Sequence, residues 1–244
     1  PAQPPEFDAL ERRPKPQIAD GQARAIAIPP AERLLFQYLR DAPYLPGATD
    51  LGAATAPISP WPHQLQVARS VLSRFPDRVM LCDEVGLGKT IEAGLLIRQL
   101  LLSGRVRRCL ILTPASVLKQ WQEELYEKFN LEIPRYDRGL LFDVRNQALG
   151  APAANPWNDH DVLLASSHLA RRRERVAELQ GAEPWDLLVV DEAHHARRRD
   201  FQQPQYRPNR MLTLLNTLRD HARYRALLLM TATPMQVHPV EVWD

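Results

Sequence analysis

Cysteine is scarce in this sequence, and neither a long apolar run nor the pattern of a signal peptide is visible in it. Only two cysteines, Cys82 and Cys109, occur in 244 residues, which excludes a disulfide-based framework and favours a reducing, cytoplasmic setting. No apolar run approaches the ~20 residues that a bilayer-spanning helix requires, so we do not expect a membrane protein. The chain begins with Pro1 rather than with methionine, and we expect it to be a fragment of a longer protein.

Lysine is also rare, and the two signs of charge almost cancel. The basic residues number 31, of which only four are lysine, against 29 acidic residues, so the net charge is +2. A net charge this small does not by itself require a nucleic-acid partner. The hydrophobic fraction of 45% over 244 residues is enough for the core of one large α/β domain or two small ones.

Proline is concentrated near the N-terminus. Of the 22 prolines, 12 lie in residues 1–62, and residues 1–30 show no steady hydrophobic period, which is typical of irregular chain. A short helix is predicted over Ala31–Arg40, where four apolar side chains form a stripe. We therefore separate a Pro-rich N-terminal segment, residues 1–60, from a domain over residues 61–244. The segment is either a linker or an accessory element docked on the domain.

Five short apolar runs beginning at residue 78 predict the strands of the domain. They do not alternate polar and apolar residues, which is typical of strands buried on both faces of a parallel sheet. They span Arg78–Cys82, Cys109–Thr113, Asp161–Ala165, Asp186–Val190 and Ala226–Met230. Helical patterns lie before and between them, over His63–Phe75, Thr90–Ser103, Ser116–Phe129, Leu169–Gln180 and Met211–His221. The alternation predicts an α/β fold with a mostly parallel sheet and helices on both faces.

The first run is followed by a pattern typical of a phosphate-binding loop. The loop comprises Asp83, Glu84, Val85, Gly86, Leu87, Gly88, Lys89 and Thr90. Its glycines allow backbone N–H groups to approach phosphates closely, and the helix that follows adds partial positive charge at its N-terminus. We expect Lys89 to reach the β- and γ-phosphates of ATP and the Thr90 hydroxyl to bind magnesium. The full pattern has glycine where this chain has Asp83, and a turn without a ligand is the alternative.

An acidic pair follows the fourth run and predicts the catalytic half of an ATP site. Asp191 and Glu192 come directly after four apolar residues, so we expect both carboxylates at the carboxyl end of a strand, where active groups gather in such sheets. Asp191 would hold magnesium, and Glu192 would position and deprotonate the attacking water. Taken alone, the pair is equally compatible with a helix N-cap; the phosphate loop upstream favours the catalytic interpretation.

The fifth run ends in Thr231-Ala232-Thr233-Pro234, which taken alone could be a turn. With the phosphate loop and Asp191-Glu192-Ala193-His194, it resembles the helicase superfamily 2 ATPases, DEAD/DEAH class in the broad sense. The sequence from Asp83 to Gly94, with Pro62-His63-Gln64-Leu65, is similar to the Swi/Snf-type translocases, especially the bacterial branch that includes the RNA-polymerase-associated recycling ATPase. The resemblance covers residues 60–240 and implies a RecA-like P-loop NTPase lobe.

The resemblance also implies roles for residues outside the nucleotide motifs. Gln64 matches the glutamine that reads the adenine edge, although an ordinary polar surface residue is the alternative. Thr231 and Thr233 match the motif that couples hydrolysis to strand movement. The segments that grip nucleic-acid phosphates are matched by Thr113, Pro114 and Ala115, with Lys119 and Gln120 on the next helix, and by Ser166, Ser167 and His168. Phosphate contacts carry no sequence information, which suits a motor that moves along double-stranded DNA.

Two arginine clusters follow these segments. Arg171, Arg172, Arg173 and Arg175 come after the Ser166 segment, and Arg197, Arg198 and Arg199 come after the acidic pair. Guanidinium groups suit bidentate contacts with phosphate, but each cluster is equally compatible with a solvated surface. His195, beside the second cluster, either contacts a partner lobe or is an ordinary packed or solvated histidine. Residues 198–210 are predicted to form a mobile loop.

A motor of this type requires a second RecA-like lobe, which supplies arginine fingers to ATP bound between the lobes. Only ten residues follow Pro234, so we expect that C-terminal lobe to lie outside this chain and the chain alone to hydrolyse ATP poorly. The resemblance thus implies the ATP- and magnesium-binding lobe of a double-stranded DNA translocase, acting in RNA polymerase recycling or in bacterial defence against phage. A strand-separating DNA or RNA helicase and a nucleotide-gated protein-interaction module are the alternatives.

Overall fold

The computed structural model describes residues 51–84, 86–150, 154–198 and 207–233. The helices in these ranges are α1 (Leu51–Ala54), α2 (Pro62–Arg74), α3 (Lys89–Leu102), α4 (Leu118–Phe129), α5 (Ser167–Ala170), α6 (Arg173–Gly181) and α7 (Arg210–Asp220). The strands are β1 (Arg78–Leu81), β2 (Cys109–Thr113), β3 (Arg135–Asp137), β4 (Leu140–Phe142), β5 (Val162–Ser166), β6 (Trp185–Val190) and β7 (Tyr224–Met230). None of the helices in these ranges combines the length and apolarity needed to cross a bilayer. The predicted helix over Ala31–Arg40, Val85 of the phosphate loop and most of the predicted loop over residues 198–210 lie outside the described residues.

The seven strands form one sheet in the order β1-β7-β6-β2-β5-β3-β4. Every neighbouring pair is parallel except β3 and β4, which pair antiparallel at one edge. Helices α2, α3 and α4 cover one face over a core that includes Leu96 and Ile111. Helices α5, α6 and α7 cover the other face over a core that includes Trp157 and Leu188. The predicted α/β class, with a mostly parallel sheet and helices on both faces, is confirmed.

The strands differ from the prediction at both edges of the sheet. β3 and β4 were not predicted, because they have three residues each and β3 carries the charged Arg135 and Asp137. β1 is an edge strand rather than one buried on both faces, and Met80 in it is 36% exposed. It ends at Leu81, so Cys82, predicted to be its last residue, lies exposed beyond it.

The helix predicted over Leu169–Gln180 is two helices, α5 and α6. The break lies at Arg172, which has an extended backbone with φ −71° and ψ 143°. Leu169 and Leu179 both join the second core, so the apolar spacing runs through the break and did not reveal it.

Helix α1 packs on α3, upstream of the boundary at residue 61 that the sequence predicted. The backbone N–H of Gly52 donates a hydrogen bond to the side-chain oxygen of Gln99. The guanidinium of Arg98 donates to the carbonyl and hydroxyl oxygens of Thr55, both at 3.2 Å. A Cβ on Gly52 would lie 2.9 Å from the backbone nitrogen of Gln99, so α1 and α3 approach as closely as glycine permits. The folded domain therefore includes α1, which precedes residue 61.

Helices α3 and α4 also meet at a glycine. A Cβ built on Gly94 would lie 2.2 Å from Cε2 of Phe129, and Phe129 is fully buried. Arg98, one turn further along α3, donates a hydrogen bond to the carbonyl of Phe129. These contacts hold α4 against the helix that follows the phosphate loop.

We expect Gly94→Ala to lower the free energy of unfolding, although alanine is preferred over glycine inside a helix by about 1 kcal/mol. The added methyl group overlaps the Phe129 ring, and such overpacking typically costs about 1–3 kcal/mol or more. Urea denaturation of the single variant measures the loss. Phe129→Leu removes the outer ring atoms, so in that background Gly94→Ala should lower the free energy of unfolding by clearly less. An equal decrease in both backgrounds would show that the overlap with Phe129 is not the cause.

Candidate functional site

A pocket of about 690 Å³ opens at the carboxyl edge of the sheet, within the range of about 300–1,000 Å³ that ligand pockets occupy. Its lining includes six residues of the predicted nucleotide site and three residues that were not assigned a role in it. The first group is Gly86, Gly88, Lys89, Thr90, Asp191 and Glu192, and the second is Trp121, His194 and Ala232. The fold thus brings the phosphate loop and the acidic pair, about 100 residues apart in sequence, to one cavity.

The phosphate loop has the backbone conformation that its glycines permit. Gly86 has φ +91° and Gly88 has φ +85°, in the left-handed region that favours glycine. Gly88 is the N-cap of α3, and Lys89 is the first residue of the helix. The N-terminal N–H groups of α3 therefore lie at the pocket, where they and the helix dipole favour an anionic ligand.

The Lys89 ammonium group lies against the loop itself. Its Nζ donates hydrogen bonds to the backbone carbonyl of Asp83 at 2.6 Å and to that of Glu84 at 3.1 Å. Phosphate oxygens in the pocket would compete with these carbonyls for the same protons. Thr90 follows directly, and its half-buried side chain lines the same pocket.

Gln64 lies behind the phosphate loop and is only 5% exposed. Its side-chain nitrogen donates to the Leu87 carbonyl at 3.0 Å, and its side-chain oxygen accepts from the Trp61 N–H at 2.9 Å. Both ends of the amide are therefore engaged by backbone, and Gln64 ties the start of α2 to the loop. An adenine edge would have to replace at least one of these bonds.

Asp191 is oriented by a tryptophan from α4. The indole Nε1 of Trp121 donates a hydrogen bond of 3.0 Å to Asp191 Oδ2, and the backbone N–H of Glu192 donates one of 2.9 Å to Asp191 Oδ1. Burial raises the pKa of Asp191, and the Glu192 carboxylate raises it further, whereas these two hydrogen bonds oppose the rise. Trp121 is 3% exposed, so its ring is held firmly. Each carboxylate oxygen thus has a defined partner.

Glu192 is connected to the end of β7 through a histidine. His194 Nδ1 lies 3.1 Å from Glu192 Oε2 and 3.0 Å from Thr231 Oγ1. Thr231 Oγ1 also accepts a hydrogen bond of 3.1 Å from the Thr233 N–H. Glu192 itself has φ +51°, a left-handed conformation that is uncommon for a residue with a side chain. The predicted base and the predicted coupling threonines therefore belong to one polar network.

A second carboxylate lies buried beside the phosphate loop. Glu92 on α3 is fully buried, and within the described residues neither of its carboxylate oxygens has a hydrogen-bond partner. Burial raises its pKa to about 8, and the nearby Asp83 carboxylate adds to the rise while Lys89 opposes it. A buried carboxylate without a hydrogen-bond partner favours its protonated form, so we expect Glu92 to lose its proton at a higher pH than an exposed glutamate does.

The predicted nucleic-acid contacts divide into buried and accessible side chains. Thr113 is fully buried and Ser166 nearly so, and the Ser166 hydroxyl caps α5 by accepting the Leu169 N–H at 3.0 Å. Neither of these two hydroxyl groups is therefore accessible, and the predicted contact of their segments with nucleic acid stays a prediction that depends on the accessible residues. The accessible ones are Pro114, Ala115, Lys119, Gln120, Ser167 and His168. Two of them have partners on α4: Lys119 pairs with Glu123 at 3.1 Å, and Gln120 donates to Glu124 at 2.9 Å.

The two predicted arginine clusters contain both paired and exposed side chains. Arg175 is engaged by Glu178 at 2.6 Å, and Arg198 pairs with Pro208 in an antiparallel bridge. Arg199 lies outside the described residues. Arg172 and Arg173 are exposed beside the break between α5 and α6. His195, at the edge of the pocket, is exposed and packs its ring against that of His194, with the centroids 4.2 Å apart.

The pocket residues fit ATP with magnesium. The Thr90 hydroxyl and the Asp191 carboxylate are hard oxygen ligands of the kind that magnesium prefers, and both line the cavity that holds the phosphate loop. Asp191 is half-buried, and a bound cation would offset the cost of desolvating its carboxylate. Three residues of this site were missed by sequence reasoning: Trp121, His194 and Glu92. His194 is part of the acidic motif and could have been identified from it. Trp121 looks like an ordinary apolar member of an amphipathic helix, and Glu92 is a single acid in a helix that is buried almost throughout, which does not by itself indicate a role.

The chain is similar to known proteins in both sequence and fold. Residues 63–244 match the family model of the SNF2-related domain. The RNA polymerase-associated protein RapA of Yersinia enterocolitica is 40% identical over 176 residues, and that of Sodalis glossinidius is 42% identical over 177 residues. Each alignment covers 72% of this chain and 17% of the relative, so the chain spans about a sixth of the length of the curated relatives it matches. The Sulfolobus solfataricus SWI2/SNF2 ATPase core in complex with dsDNA aligns with a TM-score of 0.55 at 20% identity, covering 77% of this chain and 35% of that one, which supports the fold alone.

We expect Trp121→Phe to raise the magnesium concentration needed for nucleotide binding by about tenfold, the effect of losing one hydrogen bond to a charged group. The variant keeps an aromatic ring but removes the donor to Asp191. Titration of magnesium against a fluorescent ATP analogue measures the shift.

Trp185→Phe is the matched control for that substitution. Trp185 is 1% exposed, and within the described residues its indole nitrogen has no hydrogen-bond partner. The same change there removes the same atoms without removing a bond. If both variants require equal magnesium, Trp121 does not orient Asp191.

We expect Glu92→Gln to flatten the pH dependence of stability in the protein without nucleotide. Between the ordinary pKa of 4.5 and the raised pKa of about 8, the folded domain carries one more proton than the unfolded chain. The free energy of unfolding therefore falls as pH rises through this window, by up to about 1.4 kcal/mol per pH unit. Urea denaturation over this range should show that the free energy of unfolding of the variant rises relative to that of the wild type as the pH increases. Glu127 is exposed on α4, so Glu127→Gln should show the same pH dependence of the free energy of unfolding as the wild type. If Glu92→Gln also shows the wild-type pH dependence, the pKa of Glu92 is not raised in the folded domain.

Proposed function

Because the chain belongs to the SNF2-related domain family over residues 63–244, we propose that it is the nucleotide-binding lobe of an ATP-driven motor that moves along double-stranded DNA. The observation that supports this most strongly is the single pocket lined by the phosphate loop, Asp191 and Glu192. A phosphate cradle, a magnesium ligand and a base for water are the parts that nucleotide hydrolysis requires.

The phosphate loop would hold the nucleotide. The backbone N–H groups around Gly86 and Gly88 and the N-terminus of α3 would bind the phosphates. Lys89 would exchange the carbonyls of Asp83 and Glu84 for phosphate oxygens. ATP with magnesium supplies the phosphoryl group that is transferred to water and the cation that neutralises its oxygens. Thr90 and Asp191 would hold the cation.

Glu192 would orient the attacking water and accept its proton. The carboxylate is partly exposed, whereas Asp191 is turned towards Trp121. The two acids therefore have different environments, which suits a division into one cation ligand and one base.

His194, beside Glu192, would couple changes at the catalytic base to the end of β7. His194 contacts Glu192 and Thr231 with the same ring nitrogen, so a change of charge or position at Glu192 alters the bond to Thr231. Thr231 directly follows the last residue of β7, where the chain leaves the sheet. This contact is the candidate route by which hydrolysis moves the segment after β7.

Completion of the motor would require partners. We propose that a second RecA-like lobe of the same protein closes over the pocket and supplies arginine side chains to the transition state. The name of the 40% identical relatives, RNA polymerase-associated protein, favours RNA polymerase over a phage-defence complex as the protein partner, and thus the bacterial cytoplasm as the location.

We expect the intact protein to hydrolyse ATP with magnesium and to be stimulated by duplex DNA more than by single-stranded DNA or RNA. Glu192→Gln should reduce the rate by about a hundredfold or more, because it removes the base, while nucleotide binding is retained. Phosphate release in the presence of each nucleic acid, and of none, is the measurement.

Glu127→Gln, exposed on the far part of α4, provides the control for Glu192→Gln and should leave the rate unchanged. Stimulation by single strands or RNA in preference to duplex would favour the strand-separating helicase instead. A rate indifferent to every nucleic acid would contradict the motor and favour a nucleotide-gated interaction module.

A further inference from the structure

Four arginines surround a cleft between the break that separates α5 from α6 and the start of α7. We call it the arginine cleft: Arg171, Arg172, Arg173 and Arg210 line it, and among the described residues of its lining Glu174 is the one that is acidic. An adjoining hollow shares three of these arginines and adds His168 and Asn209. The excess of positive charge is therefore local, although the net charge of the whole chain is only +2.

Most of these guanidinium groups have no counter-charge within the described residues. The side chains of Arg172, Arg173 and Arg210 make no hydrogen bond or ion pair there. The guanidinium of Arg171 contacts the ring of His168 and, among the described residues, no carboxylate. Other arginines of the same domain are neutralised, as Arg175 is by Glu178 at 2.6 Å.

The positions of three of these arginines oppose folding stability. Arg172 is the N-cap of α6, Arg173 its first residue, and Arg210 the first residue of α7. A positive charge at a helix N-terminus is repelled by the helix dipole. Arg172 also forms no side-chain capping bond, whereas the side chain of Asn209 caps α7. Neither packing, pairing nor capping explains why the charges lie here.

We propose that the arginine cleft binds the sugar–phosphate backbone of double-stranded DNA, as a contact additional to those predicted for the Thr113 and Ser166 segments; this rests on the proposed function. Guanidinium groups bind phosphate oxygens in a bidentate way. A duplex presents one negative charge for about every 1.7 Å of its length, so it can neutralise several of these arginines at once.

The cleft is contiguous with an accessible residue of the Ser166 segment. Ser167 begins α5, and Arg171 follows one turn later, about 6 Å along the helix axis. A backbone that lies along Ser167 therefore reaches the cleft without leaving the surface. A duplex carries a continuous row of phosphates along such a path, and this continuity favours DNA as the occupant.

The test compares two triple variants of the intact protein with equal loss of charge. The first replaces Arg172, Arg173 and Arg210 with alanine. The control replaces Arg74, Arg78 and Arg145 with alanine; these are exposed and lie at the opposite, amino-terminal edge of the sheet or beyond it. Binding to a short labelled DNA duplex is measured by fluorescence anisotropy over a series of potassium chloride concentrations.

We expect the cleft variant to bind about tenfold or more weakly at moderate salt, with the slope of log affinity against log salt reduced by about 2–3, and the control to change much less. The melting temperature of the cleft variant should not fall, because the removed charges oppose the helix dipoles. The double variant Arg172→Ala with Arg173→Ala, confined to α6, should show a smaller loss of the same kind and serves if the triple variant does not fold.

The outcomes separate this inference from the proposed function. If the wild type binds and is stimulated by duplex DNA but the cleft variant equals the control, the cleft is not a DNA contact and the motor proposal stands. If the cleft variant loses binding to RNA polymerase alone, with DNA affinity intact, the cleft is a protein interface and the inference is overturned. If the wild type neither binds nor responds to DNA, both fail.

Discussion

The parallel pairing of β6 between β2 and β7 is the constraint on which the site depends. Val190, the last residue of β6, is in register with Leu112 of β2 and Leu229 of β7. Because all three strands run in one direction, the residues that follow them emerge at the same edge. Thr113, Asp191 and Thr231 are thereby brought together although they are far apart in the chain. A slip of one strand would turn its side chains to the opposite face and separate these segments.

The helices also position residues of the site, and α4 does so while it packs against a neighbouring helix. On its buried side, α4 packs Phe129 against Gly94 of α3. At its first turn, Trp121 reaches Asp191. The helix also carries Lys119, an accessible candidate for nucleic-acid contact. A displacement of α4 would therefore change the hydrogen bond to the Asp191 carboxylate. A rigid packed helix of this kind is a physical means of coupling the nucleotide pocket to a nucleic-acid contact at Lys119.

Strong, local patterns were predictable from the sequence, and contacts between distant residues were not. The apolar runs predicted the long strands because burial on both faces requires continuous hydrophobicity. The loop from Gly86 to Thr90 was predictable because its backbone geometry requires glycine. The bond from Trp121 to Asp191 depends on how α4 lies on the sheet, which no local pattern encodes. The burial of Thr113 and Ser166 was not predictable for a different reason: a hydroxyl at a strand end can bond to the neighbouring backbone, as both do, or face solvent, and the sequence is compatible with either.

The abundance of arginine has two physical explanations that composition alone cannot separate. Arg98 and Arg135 are buried and donate to carbonyl or side-chain oxygens, so they satisfy polar groups inside the fold and their loss would leave buried acceptors unpaired. Arg172 and Arg210 make no such contacts within the described residues and lie where helix dipoles repel them. Arginines of the first kind stabilise the domain, whereas those of the second kind reduce its stability unless an anion is bound. Because the two kinds count equally in the net charge, a near-neutral total is compatible with a strongly basic surface.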